Sequence, residues 1–152
     1  MGTLSDDLLN LVESAREFQR VLQRLSAGDR CIAGGLWGSG CALITAALAR
    51  HAPTTTLLVT PTLEAAESAH GDLATWLPQQ AALFPGWEIL PTESRLSDEI
   101  STVRLEMLQR LLDALSDRAD LPAILVAPIQ ALLQAVPSPE TLQERRLVLR
   151  TG

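Results

Sequence analysis

Gly35-Leu36-Trp37-Gly38-Ser39-Gly40-Cys41-Ala42 follows a short apolar run, Cys31-Ile32-Ala33-Gly34, and opens an alanine- and leucine-rich stretch that reaches His51. Strand, glycine turn, helix is the setting of a phosphate-binding (Walker A) loop, G-x-x-x-x-G-K-[ST], and the outline is kept. Its last two residues are not. In a working loop the lysine neutralises the β/γ-phosphates and the hydroxyl ligates magnesium, while the glycines let backbone N–H groups approach. Cys41 and Ala42 can do neither job. No register shift restores them, because the chain has no lysine and its 12 basic residues are all arginine, Arg50 being the nearest downstream. Arginine's planar fork is a poor substitute for a compact ammonium. The loop predicts no nucleotide cofactor, no metal and no catalytic residue in this chain. Gly38, Ser39 and Gly40 could still present N–H groups to another anion at a helix N-terminus. Trp37 is expected to fold over the vacated pocket and fill it.

Working outward, apolar residues from Leu8 to Leu25 recur at three- and four-residue steps and predict one amphipathic helix over Ser5–Ser26, packed on the domain as an N-terminal element, residues 1–26. Arg16, Arg20 and Arg24 stripe it, within reach of Glu13 and Glu17. Downstream of the loop helix, Thr56-Leu-Leu-Val-Thr60 reads as a buried strand and Thr60-Pro61 as a helix start running to about Trp76. Gln80–Phe84 predicts a third strand. Pro85-Gly86-Trp87-Glu88-Ile89-Leu90-Pro91-Thr92-Glu93 carries too many turn formers for regular structure and reads as a loop that Phe84 and Trp87 pin to the core. A helix follows over Ser97–Ser116, then a strand at Pro122–Ala127, a short helix from Pro128 to Ala135 and a further helix start at Ser138-Pro139-Glu140. Strands alternating with helices predict an α/β fold: a parallel sheet with helices on both faces, of the P-loop NTPase/helicase-like (RecA-like) kind with a degenerate Walker A loop.

With 152 residues and 47% hydrophobic content the chain suits a single core. Its 18 acidic against 12 basic side chains give a net charge of −6, the wrong sign for strong direct DNA binding. Two cysteines, Cys31 and Cys41, lack the spacing of a disulfide framework or zinc site and fit a reducing cytoplasm, with Cys41 expected as a small buried hydrophobe. His51 and His70 have no partner pattern, and no apolar run approaches the ~20 residues of a membrane span. Phe84 and Trp87 could stack on bases, but nearby Glu88, Glu93, Asp98 and Glu99 would repel phosphate, so an anchoring role is expected for Trp37, Phe84, Trp87 and Glu88.

Four segments together resemble the Mfd family of bacterial transcription-repair coupling factors and, more distantly, the excision-repair protein UvrB. They are Gly35-Leu-Trp-Gly-Ser-Gly-Cys-Ala-Leu43, Leu57-Leu-Val-Thr-Pro61, Phe84-Pro-Gly-Trp-Glu-Ile-Leu-Pro-Thr-Glu93, and Ile124 to Pro139. The third is the most specific, and Arg104-Leu105 in the following helix also fits. UvrB keeps the lysine and threonine of its loop, so Cys41 and Ala42 favour the coupling factors. The resemblance implies that residues 27–152 are a degenerate UvrB-like α/β domain, a fragment of a longer parent whose next, missing domain contacts UvrA. It also implies that ATP and magnesium belong to a motor region further along the parent, and that RNA polymerase and DNA are met only through it. The alternative reading is a nucleotide-binding domain of a UvrB-type or other P-loop NTPase with an atypical loop.

Overall fold

The computed structural model describes residues 4–87, 98–116 and 121–144. The N-terminal region is two helices, α1 (Leu4–Ser14) and α2 (Arg16–Ser26), in place of the one helix that the apolar periodicity predicts. The chain is extended at Ala15 (φ −66°, ψ 134°). Burial explains the break. Leu9 and Phe18 both lie in the main core, yet at ~100° per residue nine positions of a straight helix would place them on opposite faces. Ending α1 at Ser14, whose hydroxyl donates to Leu11 O (2.8 Å), lets both side chains turn inward. The periodicity runs on in phase across the break, so the sequence conceals it. Leu8 and Leu11, counted on the expected inner face, are exposed. Gly28 (φ 83°) ends α2, and Asp29 N–H bonds back to Arg24 O (2.9 Å) in a left-handed helix stop.

The strand expected at Cys31–Gly34 does not form, and Ile32 there is fully exposed. Only three side chains precede a glycine pair, which weakens any ladder the run could join. Helix α3 (Ser39–His51) follows the glycine turn, as expected. Its Ala42, Ala46, Ala47 and Ala49 are buried, and these small side chains let α1 and α4 (Leu63–Trp76) approach closely. Glu13 of α1 reaches Arg50 Nε (3.3 Å) and His51 Nε2 (3.4 Å) at the negative end of the α3 dipole, rather than the arginine stripe of α2.

Three strands form a parallel sheet in the order β1 (Thr56–Thr60), β3 (Ile124–Pro128), β2 (Ala81–Leu83). Thr56 lies opposite Ile124 on one side and Ala81 opposite Ile124 on the other. Every residue of β3 is buried, as a central parallel strand requires. Its side chains alternate between two cores. Ile124 and Val126 meet α1 to α4, while Leu125 and Ala127 meet Met107, Leu108 and Leu111 of α5 (Asp98–Ser116) and Ala131 of α6 (Ile129–Leu133). The α/β class with helices on both faces is therefore observed. The chain crosses from β1 over β3 to β2 through α4, then returns to β3 through α5. Because the direction reverses, two crossovers of the same hand must use opposite faces, which is where α4 and α5 lie.

Helix α4 starts two residues later than Thr60-Pro61 suggests: Thr62 is its cap, with Oγ1 accepting from Ala65 N–H (3.1 Å). Thr60 is held in the strand, its hydroxyl turned to Thr62 O (2.9 Å). The last helix, α7 (Pro139–Glu144), is capped by Ser138, whose Oγ accepts from Thr141 N–H (3.2 Å).

Candidate functional site: the glycine turn and the anchored aromatic loop

Gly35 (φ 77°) and Gly38 (φ 50°, ψ −132°) take backbone conformations that L side chains rarely adopt, and Gly38 caps α3. A Cβ built on Gly35, Gly38 or Gly40 would meet nothing within 4 Å, so the turn lies open and presses on no other element. Backbone geometry, not packing, requires glycine here. Gly38→Ala is expected to cost about 1–2 kcal/mol from strain alone, read as a lower midpoint in urea denaturation with an unchanged slope.

Two amides of the turn are engaged within the chain. Gly40 N–H bonds to Trp37 O and Cys41 N–H to Gly38 O, each at 3.0 Å. Ala42 faces the core at 2% exposure, so the position of the metal-ligating hydroxyl is given to helix packing. Cys41 is exposed, contrary to the expectation of a buried thiol, because α3 turns Ala42 inward and its neighbour outward. Trp37 is 85% exposed and covers nothing, which corrects the expectation of a ring lying in the pocket. Beneath the turn it is Ala42 that is seated on the core. Ser39 begins α3 on the surface.

The second constellation is built around Arg104 of α5. Phe84 continues the sheet by donating N–H to Val126 O (2.8 Å), and its ring is buried. Arg104, 1% exposed, lays its guanidinium 4.4 Å from the Phe84 ring centre and 5.0 Å from that of Trp87, and Nη1 donates to Pro85 O (2.6 Å). Burial lowers its pKa from the usual arginine value. Nη2 is also buried and has no hydrogen-bond partner among the described residues. Below the loop, Gln134 acts as a surrogate strand: Oε1 accepts from Trp87 N–H (2.7 Å) and Nε2 donates to Trp87 O (3.1 Å). Gly86 packs beside α6, where a Cβ would stand 3.5 Å from Ala131 N, an ordinary contact. Gln134→Ala is expected to cost about 1–2 kcal/mol by leaving both Trp87 backbone groups without these partners, detectable as faster amide exchange at Trp87. Glu88, the remaining expected anchor, lies outside the described residues.

No group of three or more His, Cys, Asp or Glu able to hold a metal occurs among the described residues. A cavity of about 690 Å³ forms an apolar groove between the C-terminal end of α3, α5 and α7, lined by Ala49, Pro53, Leu108, Leu111 and Leu142. It sits at the far end of α3 from the turn, roughly 18 Å away along a helix of this length. No helix of the described residues is long and apolar enough to cross a membrane.

Together these features define a parallel α/β domain with an open glycine turn before a helix whose Ala42 packs in the core and whose Cys41 is exposed. Comparison with known proteins gives the particular relationship. No family model matches, but the chain is 34% identical over 150 residues to the transcription-repair coupling factor of Mycobacterium tuberculosis, covering 95% of this chain. It is 25% identical over 150 residues to that of Bacillus subtilis, covering 97% of this chain, and 25% identical over 135 residues to that of Escherichia coli, covering 84%. The chain is thus a relative of the transcription-repair coupling factors along nearly its whole length. It spans only 11–12% of the length of these relatives.

Proposed function

We propose that this chain is a non-catalytic structural and interaction segment of a transcription-repair coupling factor, a degenerate RecA-like domain within a UvrB-like region that serves UvrA recruitment in nucleotide excision repair. The parent protein, on this reading, is a cytoplasmic ATP-dependent DNA translocase that acts on stalled RNA polymerase, with ATP and magnesium held in its motor and not here. One observation carries the proposal: at the glycine turn, Ala42 is packed into the core and the amides of Gly40 and Cys41 are bonded within the chain. A loop so arranged lacks the lysine and the hydroxyl at the last two motif positions, and two of its amide donors are already used. What remains is a rigid frame. Its twin cores on either side of β3 suit a platform that orients a neighbouring domain and packs against other parts of the parent chain.

The experiment is surface plasmon resonance against immobilised UvrA, comparing this chain with a longer piece of its parent that includes the next domain. The expected result is binding by the longer piece and at least about tenfold weaker binding, a loss of ~1.4 kcal/mol, by this chain alone. Absence of binding by both would contradict the UvrA role, and equal binding would move the contact onto this domain.

A further inference from the structure

The break between α1 and α2 has no local cause. No glycine or proline stands between Leu4 and Ala27, and the residue at the break, Ala15, is of the type with the highest helix propensity. As N-cap of α2, Ala15 offers no side-chain oxygen to the first amides of that helix, which have no acceptor within it. Its φ of −66° is already helical, and only its ψ of 134° departs. Turning that one torsion to about −40° brings Ala15 into helix. The ladder would then run from α1 into α2 and give those amides partners.

Contacts from elsewhere in the fold hold the break instead. Leu9 is fully buried in the main core, and Glu13 pairs with Arg50 and His51 at the end of α3. Gln19 Nε2 adds a bond across the break to Glu13 O (2.6 Å). Against these, Leu4, Leu8, Leu11 and Leu25 are exposed. With Ala15, Phe18 and Leu22 they recur in unbroken steps of four and three, so a straight helix would gather all seven into one heptad seam. Leu9 would then lie on the opposite face, with Asp6, Glu13 and Arg16.

We infer that Ala15 is a hinge, and that residues 4–26 exchange between the broken pair and one continuous helix in which α1 has left α3 and α4. Backbone preference and the leucine seam favour the straight form, while burial of Leu9 and the Glu13 pairing favour the broken one. Two packings of one segment, each satisfying what the other leaves unmet, are what make an element bistable. Phe18 and Leu22 keep α2 on the core, so α1 is the part that swings. Leu9 is the catch: its withdrawal from the core releases the hinge.

Two opposed substitutions test this, read by electron–electron resonance between nitroxides on Asp7→Cys and Gln23→Cys, both exposed sites, in the whole chain with Cys31→Ser and Cys41→Ser. A continuous helix sets the two backbones about 24 Å apart, and any bend at Ala15 shortens that. The otherwise unchanged chain should give the shorter distance. Leu9→Gln, polar where the straight helix is polar, should raise the population near 24 Å at least about tenfold with helical circular dichroism retained. Leu9→Ala, which buries no polar group, should act in the same direction. Adding Arg16→Pro should restore the short distance, because proline suits the first position of α2 after an extended Ala15 but breaks a helix interior. A short distance kept in both Leu9 variants, a broad spread without a peak near 24 Å, a long distance that survives Arg16→Pro, or loss of the fold in both Leu9 variants would overturn the inference.

Discussion

Replacing Arg104 by alanine is expected to lower the unfolding free energy by about 3–4 kcal/mol, from the lost charged hydrogen bond, the lost ring contacts and the cavity left by the stem. For a chain of this size that is a fall of roughly 10 °C in thermal midpoint. The reason lies in where the guanidinium sits. It is the largest fully buried side chain among the described residues, and it holds the backbone of Pro85 and two aromatic rings at once. Nothing else in the described residues can take over the Pro85 carbonyl contact. Arg104→Lys separates charge from shape: an ammonium keeps the charge but cannot lie flat against both rings while donating to Pro85, so about half the loss should remain. Tryptophan emission supplies a local readout, because Trp87 should shift to longer wavelength in the alanine variant as its ring gains water. Thermal denaturation that leaves Arg104→Ala within a degree or two of the parent would mean that the loop is held by other contacts.

Restoring the phosphate-loop residues is the second large effect, and the expected outcome is damage without gain. In the double variant Cys41→Lys, Ala42→Thr, the lysine enters at an exposed position and is tolerated. The threonine enters a site that is 2% exposed, between α3 and the helices packed on it. Extra volume in a packed core costs ~1–3 kcal/mol, and a hydroxyl buried among alanine and leucine adds to it. A total loss of about 2–3 kcal/mol is expected, with Cys41→Lys alone near neutral. Chemical denaturation of the two single variants and the double variant measures the split. No ATP binding should appear in any of them, because the Gly40 and Cys41 amides stay bonded within the turn. A double variant that is both stable and able to bind ATP would show that the turn can be reopened by two side chains.

The parts of the fold legible in the sequence are those where a local signal and a tertiary demand agree. Ile124 to Ala127 is apolar at every position because both faces of β3 are covered, and α3 follows its glycine turn because Gly38 reaches a backbone geometry other residues avoid. Where the two demands conflict, the sequence misleads. The apolar rhythm from Leu8 to Leu25 passes straight through Ala15, although only a break there lets Leu9 and Phe18 share one core. Cys31-Ile32-Ala33-Gly34 has the composition of a strand but does not join the three-stranded sheet. Trp37 looks like a core residue by size, yet it is exposed on the turn.

Arg104 is the instructive omission. It stands in phase with Ile100, Met107 and Leu111 on the apolar face of α5, and a charge in that phase signals a buried cation awaiting aromatic and carbonyl partners. The Phe84-Pro85-Gly86-Trp87 run supplies both. Gln134 gave no comparable signal, since a glutamine after a short helix is ordinary until the backbone of Trp87 is seen opposite its amide.

Isothermal titration calorimetry of the purified chain with ATP and magnesium tests the central claim most directly. The account predicts no heat of binding up to millimolar nucleotide, a binding free energy weaker than about −4 kcal/mol, and no phosphate release. Micromolar binding accompanied by turnover would contradict it.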